Sequence, residues 1–249
     1  MPATRILPAH SALRNRTPRR LPAPAFAPQP TAFAAYYDAL FRSYGPQHWW
    51  PGRTRFEIIV GAILTQNTSW TNVELAIANL RREKLLSPAA LERVPLDQLA
   101  QLIRSSGYFR QKARKLKAFV HFLNTQYSGS LNKMFAAPTV QLRDQLLQVH
   151  GIGPETADSI LLYAGNHPVF VVDAYTRRIL ERHALAHAKL SYEEIRRLFE
   201  HNLPADPSLF NEYHALIVHT GKHFCRKRQP DCRNCGLQSF LPPGSEFTP

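Results

Sequence analysis

From residue 31 onward, apolar residues recur along most of the chain at spacings of three and four, the period of a helix that buries one face. The pattern predicts helices over 31–44, 54–67, 70–83, 88–92, 96–104, 110–126, 139–149, 154–164, 173–184, 191–200 and 207–221. Short polar breaks separate them, and several carry helix-start residues: Ser87 before PAALE, Pro95 before LDQLA, Thr139 before VQLRD and Ser191 before YEEI. No stretch alternates apolar and polar residues with period two between turn signals, so no sheet is expected and the fold class is all-α.

The sharpest break lies inside Leu146 to Leu162, LLQVHGIGPETADSILL. A short apolar helix ends at His150, Gly151-Ile152-Gly153 turns, and Pro154-Glu155-Thr156 opens a second helix, which together make a helix-hairpin-helix. Glycine at 151 and 153 permits positive φ and close approach of a ligand to the backbone, and Pro154 suits a first helical position that needs no N–H. The open N–H groups and positive dipole end of the second helix then form an anion site, suited to phosphate, with Thr156 in its first turn. As a bare turn, the same element serves an ordinary all-α protein. Asp173, between PVFVV and AYTRRI, stands at another helix start, where the dipole favours a carboxylate; taken alone it reads as an N-cap.

Charge narrows the class of partner. The 249 residues carry 31 Lys plus Arg against 18 Asp plus Glu, a formal +13, which points to a polyanion. No lipidation motif or apolar run of about 18 residues or more argues for a membrane. The length fits one domain or two intimately packed ones. Residues 1–30 hold five arginines, seven prolines and no acid, a composition expected of a disordered basic tail, with an organellar transit peptide as the alternative. The helix from Arg110 carries Arg110, Lys112, Arg114, Lys115 and Lys117 within two turns, just after Gly107-Tyr108-Phe109. That is a candidate phosphate-backbone surface, extended by Arg177 and Arg178, or simply a solvated charged face. All three cysteines fall between 225 and 235, so a disulfide framework is not expected and an intracellular setting is.

The hairpin with Asp173 eighteen residues after Glu155 resembles the helix-hairpin-helix DNA glycosylases of the endonuclease III superfamily, over about Phe33 to Cys235. The resemblance implies a two-lobed fold. Residues 56–162 would form a contiguous helical domain, 31–55 plus 163–249 a second, and the active site would lie in the cleft between them. It implies that Asp173 is the catalytic carboxylate, stabilising an oxocarbenium-like sugar and orienting or deprotonating the attacking water. Members that also cut the strand carry a lysine at the second residue after the hairpin's last glycine, where this chain has Glu155. A carboxylate cannot form an imine, so the expectation is a monofunctional glycosylase using water. Gln66, in GAILTQNTSW, matches the side chain that wedges into the duplex when a damaged nucleotide is flipped out; an ordinary helix-end amide is the alternative.

Trp49, Trp50 and Trp70 flank that helix pair as candidate walls of the base pocket, or as core. WWP together with LTQNT and a following aromatic looks like the 3-methyladenine glycosylase III branch, which implies an alkylated purine, an electron-poor base that stacks well on indole. The other enzyme reading is an endonuclease III-like glycosylase and lyase for oxidised pyrimidines, using a lysine elsewhere, with Lys222 as one candidate. A catalytically silent DNA-binding module is the reading from another class. The implied partners are double-stranded DNA with damaged bases and a downstream abasic-site endonuclease, for a monomer in the cytoplasm, with the nucleoid if bacterial. Cys225-x6-Cys232-x2-Cys235 reproduces the first three ligands of the superfamily's iron–sulfur loop, but the fourth position is Leu241. A 4Fe-4S cluster with a non-cysteine fourth ligand, a three-iron cluster, zinc completed by His223, and no metal all stay open.

Overall fold

The computed structural model describes residues 30–49 and 52–245; all but the last residue of the expected basic tail 1–30, and Trp50, lie outside the described residues. Every regular element among the described residues is helical. The helices are α1 (Pro30–Tyr44), α2 (Arg55–Leu64), α3 (Trp70–Arg82), α4 (Pro88–Arg93), α5 (Leu96–Leu102), α6 (Phe109–Tyr127), α7 (Leu131–Phe135), α8 (Thr139–Leu147), α9 (Pro154–Ser159), α10 (Ala174–Arg182), α11 (Tyr192–Asn202) and α12 (Pro207–His223). None of the described helices is long and apolar enough to cross a membrane.

Three departures from the expected helices have local causes. α2 stops at Leu64 because the Thr65 hydroxyl and N–H both donate to Gly61 O and Asn67 adopts a left-handed φ of 53°. α5 ends at Leu102 and passes into a 3₁₀ turn over Arg104–Ser106. α7, capped by the Ser130 hydroxyl accepting from Lys133 N, has five residues, too few to leave a periodic signature.

Two hydrophobic cores form. The first gathers α2 to α9 around Ile59, Ile63, Leu80, Leu116, Phe119 and Leu146. The second joins α1 to α10, α11 and α12 around Phe33, Phe170, Phe199, Phe210 and Leu216, with the Phe170 and Phe199 rings stacked at 3.7 Å. The chain's first described helix therefore closes the lobe built from its C-terminal third.

α9 belongs to both cores. It continues as a π-helical turn over Ile160–Ala164; Ala157, Ile160, Leu161 and Ala164 fill the first core, while Leu162 and Tyr163 pack into the second. A π turn shifts the phase of side chains around the helix, which lets one segment face two directions. Asp158, on the same helix and fully buried, accepts Arg143 Nε of α8 at 2.6 Å, and Arg143 also pairs with Glu193 of α11. This ionic chain crosses from one lobe to the other alongside the apolar contacts.

Candidate active site and nucleic-acid interface

The hairpin turn is built around Gly151, whose φ of +81° favours glycine; an added Cβ would also overlap the aliphatic stem of Lys115. Lys115 Nζ donates to Gln66 Oε1. Gln66 Nε2 in turn donates to Gly151 O at 3.1 Å and to Thr156 Oγ1 at 2.9 Å. The three side chains clasp the turn from behind. Gly153 differs, because its φ is an ordinary −93° and a Cβ there would meet nothing within 4 Å. Its lack of a side chain therefore leaves room outside the protein, beside the start of α9, where no side chain caps the helix.

The basic helix needs correction. Lys112, expected at the phosphate surface, is 2% exposed and donates to Leu64 O at 2.9 Å and Ser106 O at 2.6 Å. Burial, and then the neighbouring Lys115, push its pKa down to about 8. It ties the C-terminal end of α2 to α6. Lys117 behaves similarly, donating to the carbonyls of Glu92 and Val94 at the end of α4. Arg110 and Arg114 are exposed, as are His150 at the hairpin tip and Tyr108, which has a left-handed φ of 45°. Arg177 donates to Leu190 O, and Arg178 to the carbonyls of Cys225 and Gly221, so both are bound to the protein's own backbone.

Asp173 caps α10. Its Oδ1 accepts from Thr176 N at 2.7 Å and Thr176 Oγ1 at 2.9 Å, while Oδ2 lies 3.8 Å from Nε2 of the buried His214. The run Val169–Val172, buried throughout, fixes the approach of the chain to this cap. Glu155, on the first turn of α9, is solvent-accessible yet flanked by protein. Desolvation, then the charge of Asp173, push its carboxyl up to about 7 against the pull of Arg177. Two carboxyl groups thus share one electrostatic neighbourhood.

Trp49 joins this site: its ring meets the His214 ring edge-on at 6.1 Å, and Lys222 Nζ lies 6.0 Å from its centroid. Trp70 packs against the first core. His214 and Tyr163 were not singled out from sequence. The only available signals were a histidine inside the apolar run YHALIV and a tyrosine ending SILLY, and both read as core.

Cys225, Cys232 and Cys235 line one pocket with Leu241, Arg182 and His183. Arg182 donates to Cys225 Sγ at 3.2 Å, and burial pushes the Cys232 and Cys235 thiols up. His223 is not part of that lining; its ring faces His219 at 4.6 Å. Among the described residues no group of three or more His, Cys, Asp or Glu side chains is arranged to hold a metal ion. With hydrocarbon at Leu241, the donors fall one thiolate short of a four-cysteine cubane.

Comparison with known proteins gives concordant relatives. Residues 60–205 match the model of the HhH-GPD superfamily of base excision DNA repair proteins. A putative DNA repair glycosylase of Methanocaldococcus jannaschii is 48% identical over 206 residues, covering 82% of this chain and 93% of the relative. A non-covalent endonuclease III–DNA complex superposes with a TM-score of 0.74 at 24% identity, over 86% of this chain and 95% of its own. The H. pylori 3-methyladenine DNA glycosylase bound to 1,N6-ethenoadenine gives 0.65 at 28% identity, over 78% and 95%.

Two outcomes follow from this geometry. Gly151→Ala combines a disfavoured φ with displacement of Lys115, so urea unfolding should show a loss of about 1–3 kcal/mol, accompanied by weaker duplex binding. Leu241→Cys supplies the missing thiolate. After anaerobic reconstitution, iron and sulfide analysis should find a four-iron cluster in that variant and not in the parent chain.

Proposed function

The chain belongs to the HhH-GPD superfamily of base excision DNA repair proteins, and from that premise we propose that it is a monofunctional DNA glycosylase that removes alkylated purines. The observation that carries the reading is the pair of carboxyl groups, Asp173 and Glu155, with Glu155 on the hairpin helix where strand-cutting relatives have an amine. In this reading the cleft between the lobes receives the flipped nucleotide, and Trp49 offers an aromatic wall to an electron-poor base. The similarity to a 3-methyladenine glycosylase supports that substrate class.

Asp173 acts on the sugar. As the N-glycosidic bond breaks, positive charge grows at C1′, and the carboxylate stabilises it and orients water for attack. The hairpin binds the flanking phosphate through the first-turn N–H groups of α9, with Arg110, Arg114 and His150 adding to the basic face. Gln66, the expected wedge, here has its amide engaged by Gly151 O, Thr156 Oγ1 and Lys115 Nζ; in this reading it releases them to enter the gap left by the flipped nucleotide. The product is an abasic site, which an abasic-site endonuclease must then cut.

One observation favours a second reading. Lys222 lies over Trp49, which packs on His214 beside Asp173, so an amine from α12 rather than the hairpin could attack C1′ and give lyase activity.

Duplexes bearing a single 3-methyladenine-type lesion or thymine glycol, each reaction split and half treated with alkali, separate the two. Breaks only after alkali, on alkylated DNA, are expected; breaks without alkali, together with a covalent protein–DNA adduct formed when borohydride reduces the imine, both lost in Lys222→Ala, would establish the second reading. Asp173→Asn should lower single-turnover base release by about 10²–10⁴-fold, with duplex affinity near the parent value.

Glu155 gives a pH signature. Its folded pKa of about 7 exceeds the ordinary 4.5, so the folded state binds the extra proton and stability falls as pH rises between those values. Glu155→Gln should therefore flatten that decline in thermal midpoint. It should also remove a rise in base-release rate near pH 7, where ionised Glu155 adds negative charge beside the developing cation.

A further inference from the structure

We propose that His214 is a positioning residue for Asp173: its Nε2–H, held in place by Tyr163, fixes the plane of the carboxylate that faces the sugar. The proposal rests on the reading of Asp173 as the acting carboxylate, and it adds a residue from α12 to the site.

The starting observation is an unsatisfied buried atom. His214 is 5% exposed, and its Nε2 has no hydrogen-bond partner among the described residues. Buried polar atoms are nearly always paired, so an exception calls for a physical account. The nearest anion is Asp173 Oδ2, at 3.8 Å. That separation is too short for an intervening water and about 0.8 Å longer than a hydrogen bond. Contacts of this kind are commonly long before substrate binds and tighten when the reacting complex forms.

Two constraints select the same tautomer. Nδ1 lies 2.6 Å from the Tyr163 hydroxyl. Burial, and then the charges of Asp173 and Glu155, push the Tyr163 pKa well above its usual value, so the phenol keeps its proton and can donate it to Nδ1. A neutral imidazole that accepts at Nδ1 carries its hydrogen on Nε2. Independently, an Nε2 lone pair aimed at a carboxylate is repulsive, whereas an N–H is attractive. Burial pushes the His214 pKa down despite the pull of Asp173, so the ring orients the carboxylate as a neutral dipole rather than shuttling a proton.

The imidazole is held rigidly enough for this task. The rings of Trp49 and Phe170 meet it edge-on at 6.1 and 6.4 Å, and Tyr163 lies tilted at 6.1 Å. Asp173 is held at Oδ1 by the N–H and hydroxyl of Thr176, and Oδ2 faces His214 Nε2 at 3.8 Å, a contact that in this proposal closes in the reacting complex and completes a second grip. With only the Thr176 grip, the carboxylate can swing about its Cβ–Cγ bond. A two-point grip sets the direction of its lone pairs toward C1′ and water, and misplacement of a reacting group by about 1 Å can cost on the order of 10²-fold in rate.

The test combines kinetics with a spectroscopic readout. His214→Leu should lower single-turnover base release by about 10–100-fold while leaving the affinity for duplex containing an abasic-site analogue within about twofold. His214→Gln, whose amide N–H can reach toward Oδ2, should recover most of the loss, which a purely packing role would not predict. Nitrogen-15 NMR of the imidazole should show hydrogen on Nε2 in the parent chain, a tautomer mixture in Tyr163→Phe, and a shifted Nε2–H signal in Asp173→Asn. A folded His214→Leu protein with the parent rate, or hydrogen on Nδ1, or an Nε2–H signal indifferent to Asp173→Asn, would overturn the proposal. If the parent chain releases no base from any lesion, the glycosylase reading fails instead, and the NMR measurements still decide whether His214 holds Asp173.

Discussion

The geometry of the site depends on one helix being shared by two cores. α9 and its π-helical continuation fill the first core with Ala157, Ile160, Leu161 and Ala164 and the second with Leu162 and Tyr163. Neither lobe can shift against the other without opening apolar contacts worth roughly 25 cal/mol per Å². Glu155 at the start of this segment and Tyr163 near its end are therefore fixed relative to Asp173, which begins the next helix. The same segment carries Asp158, fully buried and dependent on Arg143 for compensation, so an ionic link reinforces the apolar one.

That sharing also brings a carboxyl group of the hairpin helix into the field of Asp173. Glu155 stands where the helix dipole favours negative charge, but desolvation, and then the charge of Asp173, oppose its ionisation. The compromise is a carboxyl that titrates near neutrality beside Asp173, which keeps its Oδ1 in two hydrogen bonds. A lysine at position 155 would pair with Asp173 as an ammonium and, once it gave up its proton, would offer a free amine for imine formation. In the proposed reading, the residue type at this one position separates hydrolysis from covalent attack.

Much of the fold was legible because helical periodicity is a local signal. The hairpin was legible for a different reason: Gly151 is required by a positive φ, and that requirement shows in residue type, whereas Gly153 has an ordinary φ and open space where a Cβ would stand. What sequence did not reveal was commitment to tertiary partners. Lys112 looks like any surface lysine between Gln111 and Ala113, yet its ammonium is consumed by Leu64 O and Ser106 O, which lie 48 and 6 residues away in the chain. His214 was hidden for the same reason. Its meaning comes from Asp173 and Tyr163, which reach it only after α12 packs against α10 and the π turn.

The internal lysines change how the positive charge of the chain should be read. A formal +13 suggests a broadly basic surface for a polyanion. In the helix that looked most suited to it, Lys112 and Lys117 instead neutralise carbonyls at helix ends, and Lys115 holds Gln66 against the hairpin. A lysine at the C-terminal end of a helix meets the negative end of its dipole, so Lys112, which is buried, and Lys117, which is half-buried, stabilise the scaffold. Recognition then depends less on total charge than on oriented groups: the open first turn of α9, exposed Arg110 and Arg114, and the hairpin tip. A nonspecific basic patch would hold DNA in many registers. A few directed donors would hold it in fewer.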